Sequence, residues 1–362
     1  MRIRGLILVI LALSGLSCSN ADAAQAQAAS DAFKIEQALL PGLKMHYIQS
    51  NGIRMRVAEM GEGPAVLFAH GWPESWYSWR HQLQALSAAG YRAIAPDMRG
   101  YGGTDAPADV ATYNLATLAA DMVGVLDALG IEQAHMVGHD WGSPVAAHSV
   151  LFHPQRFISL TLMSVPHRGR GPNPPLPGMR SRTGDNFFYM LYHNEAGGVA
   201  EREYDADPRG LLSRLYLSPD SPREEPRIVD PKRSAGGWIP RLGKAKSLPD
   251  WLEQKDLDYY VSQFEGAGFR GGVNYYRNLD RNWQVTEELQ DHPIPVPMLF
   301  IAGEKDGVIR GADVSSLEQA MENSVPQLID VLLIPNVGHW VQQEAVAETN
   351  AALLNFLDKV SG

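Results

Sequence analysis

Among the 362 residues there is a single cysteine, Cys18. One thiol cannot close an intrachain disulfide, and it cannot build a cysteine-rich metal site. Positive charge is also short. The 31 Lys and Arg stand against 41 Asp and Glu, for a net charge of −10. No Lys/Arg cluster interrupts that balance. A surface that tracks phosphates needs one, so nucleic acid is excluded as a partner. No apolar run reaches the roughly 20 residues that span a bilayer. Internal repeats, low-complexity tracts and metal-spaced His/Cys sets are missing too, so neither a metal nor an organic cofactor is expected. What remains is 45% hydrophobic and 20% charged, the balance of a globular chain with one large domain, or a core plus an insertion.

The N-terminus differs from the rest. Arg2 and Arg4 precede an apolar stretch over residues 6–16, followed by small residues and Ala21-Asp22-Ala23. A charged start, a short apolar middle and an Ala-x-Ala exit are the parts of an export signal. Residues 1–24 are therefore expected to be a signal peptide, cut near Ala23 or Ala24, which makes the mature protein secreted or periplasmic. Gly15 stands three residues before Cys18, where a lipoprotein signal has leucine. The mature chain would then contain no cysteine at all, and with it no thiol nucleophile and no membrane span.

Short apolar runs alternate with longer stretches of helical spacing. "AVLFAH" (65–70), "YRAIAPD" (91–97), "QAHMVGH" (133–139) and "ISLTLMSV" (158–165) read as strands buried on both faces. Between them "YSWRHQLQALSAAG" and "LATLAADMVGVLDALG" read as helices, each stopped by glycine. The repeat predicts a mostly parallel sheet with helices on both faces. Upstream, Asn51-Gly52 between two alternating runs predicts an antiparallel hairpin on the sheet edge. The pattern breaks near His167 at the Pro/Gly-rich "HRGRGPNPPLPG", read as a linker. Dense aromatics without an obvious strand follow to Asp291, and then "VPMLFIAG" and "LIDVLLIP" resume the sheet. A core in two parts, 25–166 and 292–362, with a mainly helical cap and linker at 167–291, is the expected organisation.

Ligand sites in such sheets lie beyond the carboxyl ends of the strands. Asp140 in "GHDWGS", Asp306 in "EKDGVI" and His339 in "VGHW" each fall just after a predicted strand. Taken singly, an aspartate after a strand is most often a helix N-cap, and a loop histidine is most often solvated. In this order and these places the three form a nucleophile, an acid and a base. Gly138 and Gly142 flank Asp140, as a tight strand-to-helix turn requires. The loop His70-Gly71-Trp72-Pro73 follows another strand. The backbone N–H of Trp72, with that of Trp141, is placed to hold an oxyanion.

The motifs "HGWPESWYSWR", "DMRGYGGTDAP", "GHDWGS", "GFRGGVNYYRNLDRNW", "EKDGVI" and "GHW" resemble those of the epoxide hydrolases of the α/β-hydrolase superfamily, in the soluble branch. The resemblance runs from about Tyr47 to the C-terminus. It implies two cap tyrosines over the nucleophile as ring-opening proton donors. One falls on Tyr276, with its neighbour Tyr275 as the alternative, since adjacent helical residues point about 100° apart. The other falls on Tyr189, with Tyr192 on the same helical face as the alternative. The resemblance also implies a cis Trp72-Pro73 bond. Ser143 departs from the glycine common after "GHDWG", and a small packing change is expected there.

The implied chemistry follows from the residue types. A carboxylate is already charged and can displace at a saturated carbon, which leaves an alkyl ester on the enzyme. Asp140 would attack an epoxide carbon while Tyr189 and Tyr276 protonate the oxygen. Water activated by His339 and Asp306 would then hydrolyse the ester to a vicinal diol. Epoxide and water are the expected small-molecule partners of this hydrolase acting on ether bonds. A haloalkane or haloacid dehalogenase would use the same triad without a tyrosine acid. A serine esterase would need serine at position 140. A non-catalytic secreted binding protein of the same fold would show a broken triad.

Overall fold

Asn51 and Gly52 join β1 (Lys44–Ser50) to β2 (Ile53–Met60), with φ values of 45° and 78°. Two successive left-handed residues give a turn whose twist matches that of paired strands, and Asn-Gly tolerates them best. The strands pair antiparallel with Ser50 opposite Ile53, as the alternating runs predict. The computed structural model describes residues 36–361. The chain divides at Leu43, and the unit from Lys44 onward carries the sheet, the helices and the site. The expected export signal lies outside the described residues.

Six more strands follow: β3 (Ala65–Ala69), β4 (Arg92–Pro96), β5 (Ala134–His139), β6 (Phe157–Met163), β7 (Met298–Gly303) and β8 (Leu328–Ile334). The sheet order is β1-β2-β4-β3-β5-β6-β7-β8. β2 meets β4 antiparallel, and every pairing from β4 to β8 is parallel. β3, β5 and β7 are buried along their whole length. That burial on both faces is why they read as unbroken apolar runs rather than alternating ones. Each fully buried Val, Leu or Phe in them contributes about 1.5–3 kcal/mol relative to exposure.

α1 (Arg80–Ala88), α2 (Leu115–Ala128) and α3 (Gly142–Phe152) cover the first part of the sheet. Asn114 caps α2 by accepting the Thr117 N–H. Between β6 and β7 the described residues hold helices, short 3-10 turns and two isolated bridges, but no strand. The helices are α4 (Pro175–Thr183), α5 (Tyr189–His193), α6 (Val199–Ala206), α7 (Pro208–Leu215), α8 (Gln254–Ala267), α9 (Arg270–Arg277) and α10 (Leu279–Val285). The stretch read as a linker is irregular only to Pro174. Its last prolines open α4, because proline's fixed φ suits the first helical turn and its missing N–H has no acceptor there. α11 (Val314–Met321), α12 (Val341–Glu344) and α13 (Val346–Ser361) complete the fold.

Buried polar contacts fasten the insertion to the sheet. Trp76 Nε1 donates to Tyr259 Oη at 2.8 Å, and the Tyr77 hydroxyl to Asp256 at 2.8 Å. The Leu115 N–H donates to Asn282 Oδ1 at 2.8 Å, and the Tyr216 hydroxyl to the Pro73 carbonyl. Buried groups of this kind are costly to leave unpaired, so they fix where the insertion sits above the strand ends.

Candidate active site

Asp140 stands between β5 and α3 with φ 49°. A left-handed backbone under a Cβ costs of order 1–3 kcal/mol and persists only where its surroundings enforce it. Here the enforcement is steric. A Cβ on Gly142 would lie 1.9 Å from the Ala69 carbonyl oxygen, and one on Gly138 would lie 2.2 Å from that of Gly142. Strand, turn and helix are therefore pressed together, and the aspartate projects from the bend. Ser143 occupies the glycine place without crowding. Its buried Oγ lies 2.9 Å from the Gly138 oxygen and 2.8 Å from the Met163 oxygen, which ties the bend to β6.

β7 and β8 end beside this bend. Asp306 follows β7, and its two oxygens lie 3.0 and 3.1 Å from His339 Nδ1. The Val308 N–H donates to Asp306 Oδ1 at 2.9 Å. On the other side of the imidazole, Nε2 lies 3.6 Å from Asp140 Oδ2. Burial works against charge on all three groups, and their mutual attraction overcomes it. For Asp140, burial pushes the pKa up, but the His339 hydrogen bond and charge, the His139 charge and the Trp72 N–H hold it below the ordinary value. Asp306 is likewise lowered against burial, chiefly by His339. His339 is raised well above its ordinary value against burial, by Asp306 and Asp140. The resting arrangement is thus an imidazolium between two carboxylates.

The Trp72 N–H donates to Asp140 Oδ1 at 2.8 Å. Gly71 makes this approach possible, since a Cβ there would lie 2.4 Å from the Asp140 Cβ. His70 pins the loop as a neutral imidazole. Its Nε2 accepts the Met98 N–H at 3.0 Å, its Nδ1 donates to the Gly71 oxygen at 2.9 Å, and burial lowers its pKa. The Trp72-Pro73 peptide is cis. Trp141 borders α3, where the first amides of a helix have no helical acceptor.

A cavity of about 450 Å³ opens over Asp140. Tyr276 and Tyr189 line it together with Trp72, Trp238 and Trp340. Tyr275 turns away. Its hydroxyl donates to the Arg99 oxygen at 3.1 Å, and its ring packs on Tyr101 and Tyr113. Tyr192 also turns away, packing on Phe187 and Tyr204. The rings of Tyr189 and Tyr276 lie 5.8 Å apart, and the Trp141 ring packs edge-on against Tyr276 at 5.1 Å. Burial pushes both phenols well up. The Asp140 charge adds to the rise for Tyr189, and Tyr189 and Asp140 add to it for Tyr276. Both therefore keep their O–H protons at neutral pH.

Comparison with known proteins identifies the family. The sequence profile of the alpha/beta hydrolase fold matches residues 64–346. Epoxide hydrolase A of Mycobacterium tuberculosis (strain ATCC 25618 / H37Rv) is 42% identical over 315 residues, which cover 86% of this chain and 96% of the relative. Epoxide hydrolase 1 of Siraitia grosvenorii is 40% identical over 313 residues, with 86% and 96% covered. The chain belongs to the epoxide hydrolases of the α/β-hydrolase fold. In three dimensions it is similar to the crystal structure of epoxide hydrolase A from Mycobacterium thermoresistibile, with a TM-score of 0.80 at 42% identity, over 87% of this chain and 98% of that one. An epoxide hydrolase from an endophytic Streptomyces superposes with a TM-score of 0.83 at 39% identity, over 89% and 97%.

Three further residues of this epoxide hydrolase site escape sequence reasoning. Glu74 Oε1 lies 2.5 Å from His139 Nδ1, and its Oε2 accepts the Gly71 N–H at 3.3 Å. His139 Nε2 donates to the His339 carbonyl oxygen at 2.8 Å. The pair links the Trp72 loop, the Asp140 bend and the His339 loop in one buried chain. Glu344 accepts the N–H groups on either side of His339, from Gly338 at 3.1 Å and Trp340 at 2.9 Å. Glu74 lies within "HGWPES" and His139 beside Asp140, so their positions were signals. Their partnership was not, because it spans 65 and 200 residues. Glu344 has no local signal at all.

Proposed function

We infer that this enzyme converts epoxides to vicinal diols through a covalent ester on Asp140. The observation that carries the reading is the pair of phenol donors, Tyr189 and Tyr276, lining one cavity with a carboxylate held by His339 and Asp306. Asp140 Oδ1 is held by the Trp72 N–H, so Oδ2, which faces His339 Nε2 at the longer distance of 3.6 Å, is the oxygen that attacks a ring carbon. The epoxide C–O bond breaks as the Asp140 C–O bond forms, and a tyrosine proton passes to the departing oxygen. Esterification removes the Asp140 charge. His339 then loses one of the two carboxylates that held its proton, and its pKa falls. It returns that proton toward the tyrosinate and becomes a base. Asp306 orients it to deprotonate a water that attacks the Asp140 carbonyl carbon. Oδ1, now carrying the charge, stays on the Trp72 N–H and gains the Trp141 N–H. Losing one such donor costs about 3 kcal/mol.

A single turnover in ¹⁸O-water tests the route. Label enters the Asp140 carboxylate, while the first diol takes its new oxygen from Asp140. Label in that first diol rules the ester out. The dehalogenase alternative needs N–H donors for halide and has no use for two phenol donors over the nucleophile, which Tyr189 and Tyr276 supply here. Matched epoxide and haloalkane substrates separate the two. The export signal is proposed on residues 1–24 alone, with the mature enzyme secreted or periplasmic. N-terminal sequencing of protein recovered outside the cytoplasm would start near Ala24 or Gln25, and an intact Met1 there overturns it.

A further inference from the structure

The cavity over Asp140 has four charged lining groups: Asp140, Asp306, His339 and Arg310. The first three hold one another. Arg310 is different. Its guanidinium has no hydrogen bond or ion pair among the described residues. Most of the rest of the wall is aromatic or aliphatic. Arg310 is exposed, so it stands at the rim where the cavity meets solvent.

Its backbone is also out of the ordinary. Arg310 and Gly311 have φ values of 54° and 73°, and the Ala312 N–H donates to the Ile309 oxygen at 3.1 Å. This is a tight turn with two left-handed central residues, whose natural occupants are Asn, Asp and Gly. Arginine sits there against local preference. Buried Ile309 and the Asp306 bond from Val308 anchor the turn, so the cation is presented by a fixed loop that also carries the triad acid. Strain of this kind points from an observed outlier to a function. On a chain with a net charge of −10, an unpaired cation at the mouth of an apolar cavity also gives anions one local point of attraction.

We propose that Arg310 is a specificity-determining residue that binds the carboxylate of an elongated epoxide whose ring lies at Asp140. The proposal rests on the epoxide reading of the site and narrows its substrate class to amphiphiles with an apolar body and an anionic end. The planar guanidinium can take both carboxylate oxygens at once. The apolar body lies along Trp72, Trp238 and Leu215. No bond is made or broken at Arg310, and its contribution appears in kcat/KM for substrates that carry the anion.

The test uses the full-length enzyme and terminal epoxyalkanoates of graded chain length, each paired with its methyl ester. The readout is the ratio of kcat/KM for acid over ester, followed by diol formation. In the unaltered enzyme the ratio exceeds unity and peaks at one chain length. Arg310→Gly suits the turn better than arginine, so folding is not at stake, and it lowers the ratio at that peak by about tenfold. Arg310→Glu brings the ratio below unity. A loss of positioning alone would slow acid and ester together and leave the ratio where it was. A ratio that is flat with length, or equal in all three proteins, overturns the proposal while ester turnover keeps the epoxide reading intact. Turnover of neither series by the unaltered enzyme overturns both.

Discussion

Replacing Asp306 with asparagine keeps the shape of the triad and removes one of the two charges around His339. The Asp306 oxygens lie 3.0 and 3.1 Å from Nδ1. A unit charge at about 4 Å in an effective dielectric of about 20 is worth roughly 4 kcal/mol, or about three pH units on the imidazole. The tautomer changes too. The Val308 N–H holds Asp306 Oδ1, so the amide oxygen takes that place and the amide nitrogen turns toward Nδ1. It donates there, and the proton moves to Nε2, the nitrogen that must accept one from water. Attack by Asp140 needs no base and survives, while hydrolysis of the ester fails. The expected result is a burst of epoxide consumption stoichiometric with enzyme. A steady state slower by roughly 10³–10⁴-fold follows, the size of loss seen when a triad carboxylate becomes an amide. Rapid-quench mass spectrometry of the peptide containing Asp140 would show the ester during the burst. A variant within about tenfold of the parent, with no ester on that peptide, would refute both the acid role and the order of steps.

Removing either phenol that lines the cavity, by Tyr276→Phe or Tyr189→Phe, lowers the alkylation rate by roughly 10²-fold. Tyr275→Phe loses only the bond to the Arg99 oxygen, costs about 1 kcal/mol of stability and leaves alkylation near the parent rate; stopped-flow quenching of tryptophan fluorescence and chemical denaturation measure the two effects. Gly142→Ala places a methyl 1.9 Å from the Ala69 oxygen, and it should destabilise the fold by roughly 3 kcal/mol or more, read as a lowered urea midpoint. The pH dependence has two limbs. Asp140 and Asp306 lie below the ordinary 3.8, so their contribution is present above that value and is lost as pH falls through their folded pKa values. His339 lies above the ordinary 6.5, so its contribution is complete below that value and is lost as pH rises through its folded pKa. The Tm difference between the parent and His339→Gln should therefore be largest between 3.8 and 6.5, and a difference that keeps rising above that window would contradict the ion-pair assignment.

Much of this enzyme is legible along the chain because its causes are local. A parallel strand buried on both faces must be an apolar run, as β3, β5 and β7 are. A hairpin needing two left-handed residues takes Asn51-Gly52. A bend pressed between strand and helix needs Gly138 and Gly142, and triad members follow strand ends because that is where a parallel sheet opens. The linker reading shows the limit of such reasoning, since prolines mark either an irregular segment or the first turn of α4.

What the sequence alone could not choose were partners and directions. Every residue of α9 from Gly271 to Tyr276 is buried, both tyrosines of "NYYRN" included. Two adjacent buried tyrosines are alike in polarity, so only the packed structure sends Tyr276 to the cavity and Tyr275 to Arg99. The same holds for Tyr189 against Tyr192. The Glu74–His139–His339 chain and the Glu344 brace depend on loops brought together from distant strand ends. Local chemistry writes the elements and the reactive residues into the sequence. Tertiary packing alone decides which buried side chains meet, because a hydrogen bond depends on distance in space and leaves no period along the chain.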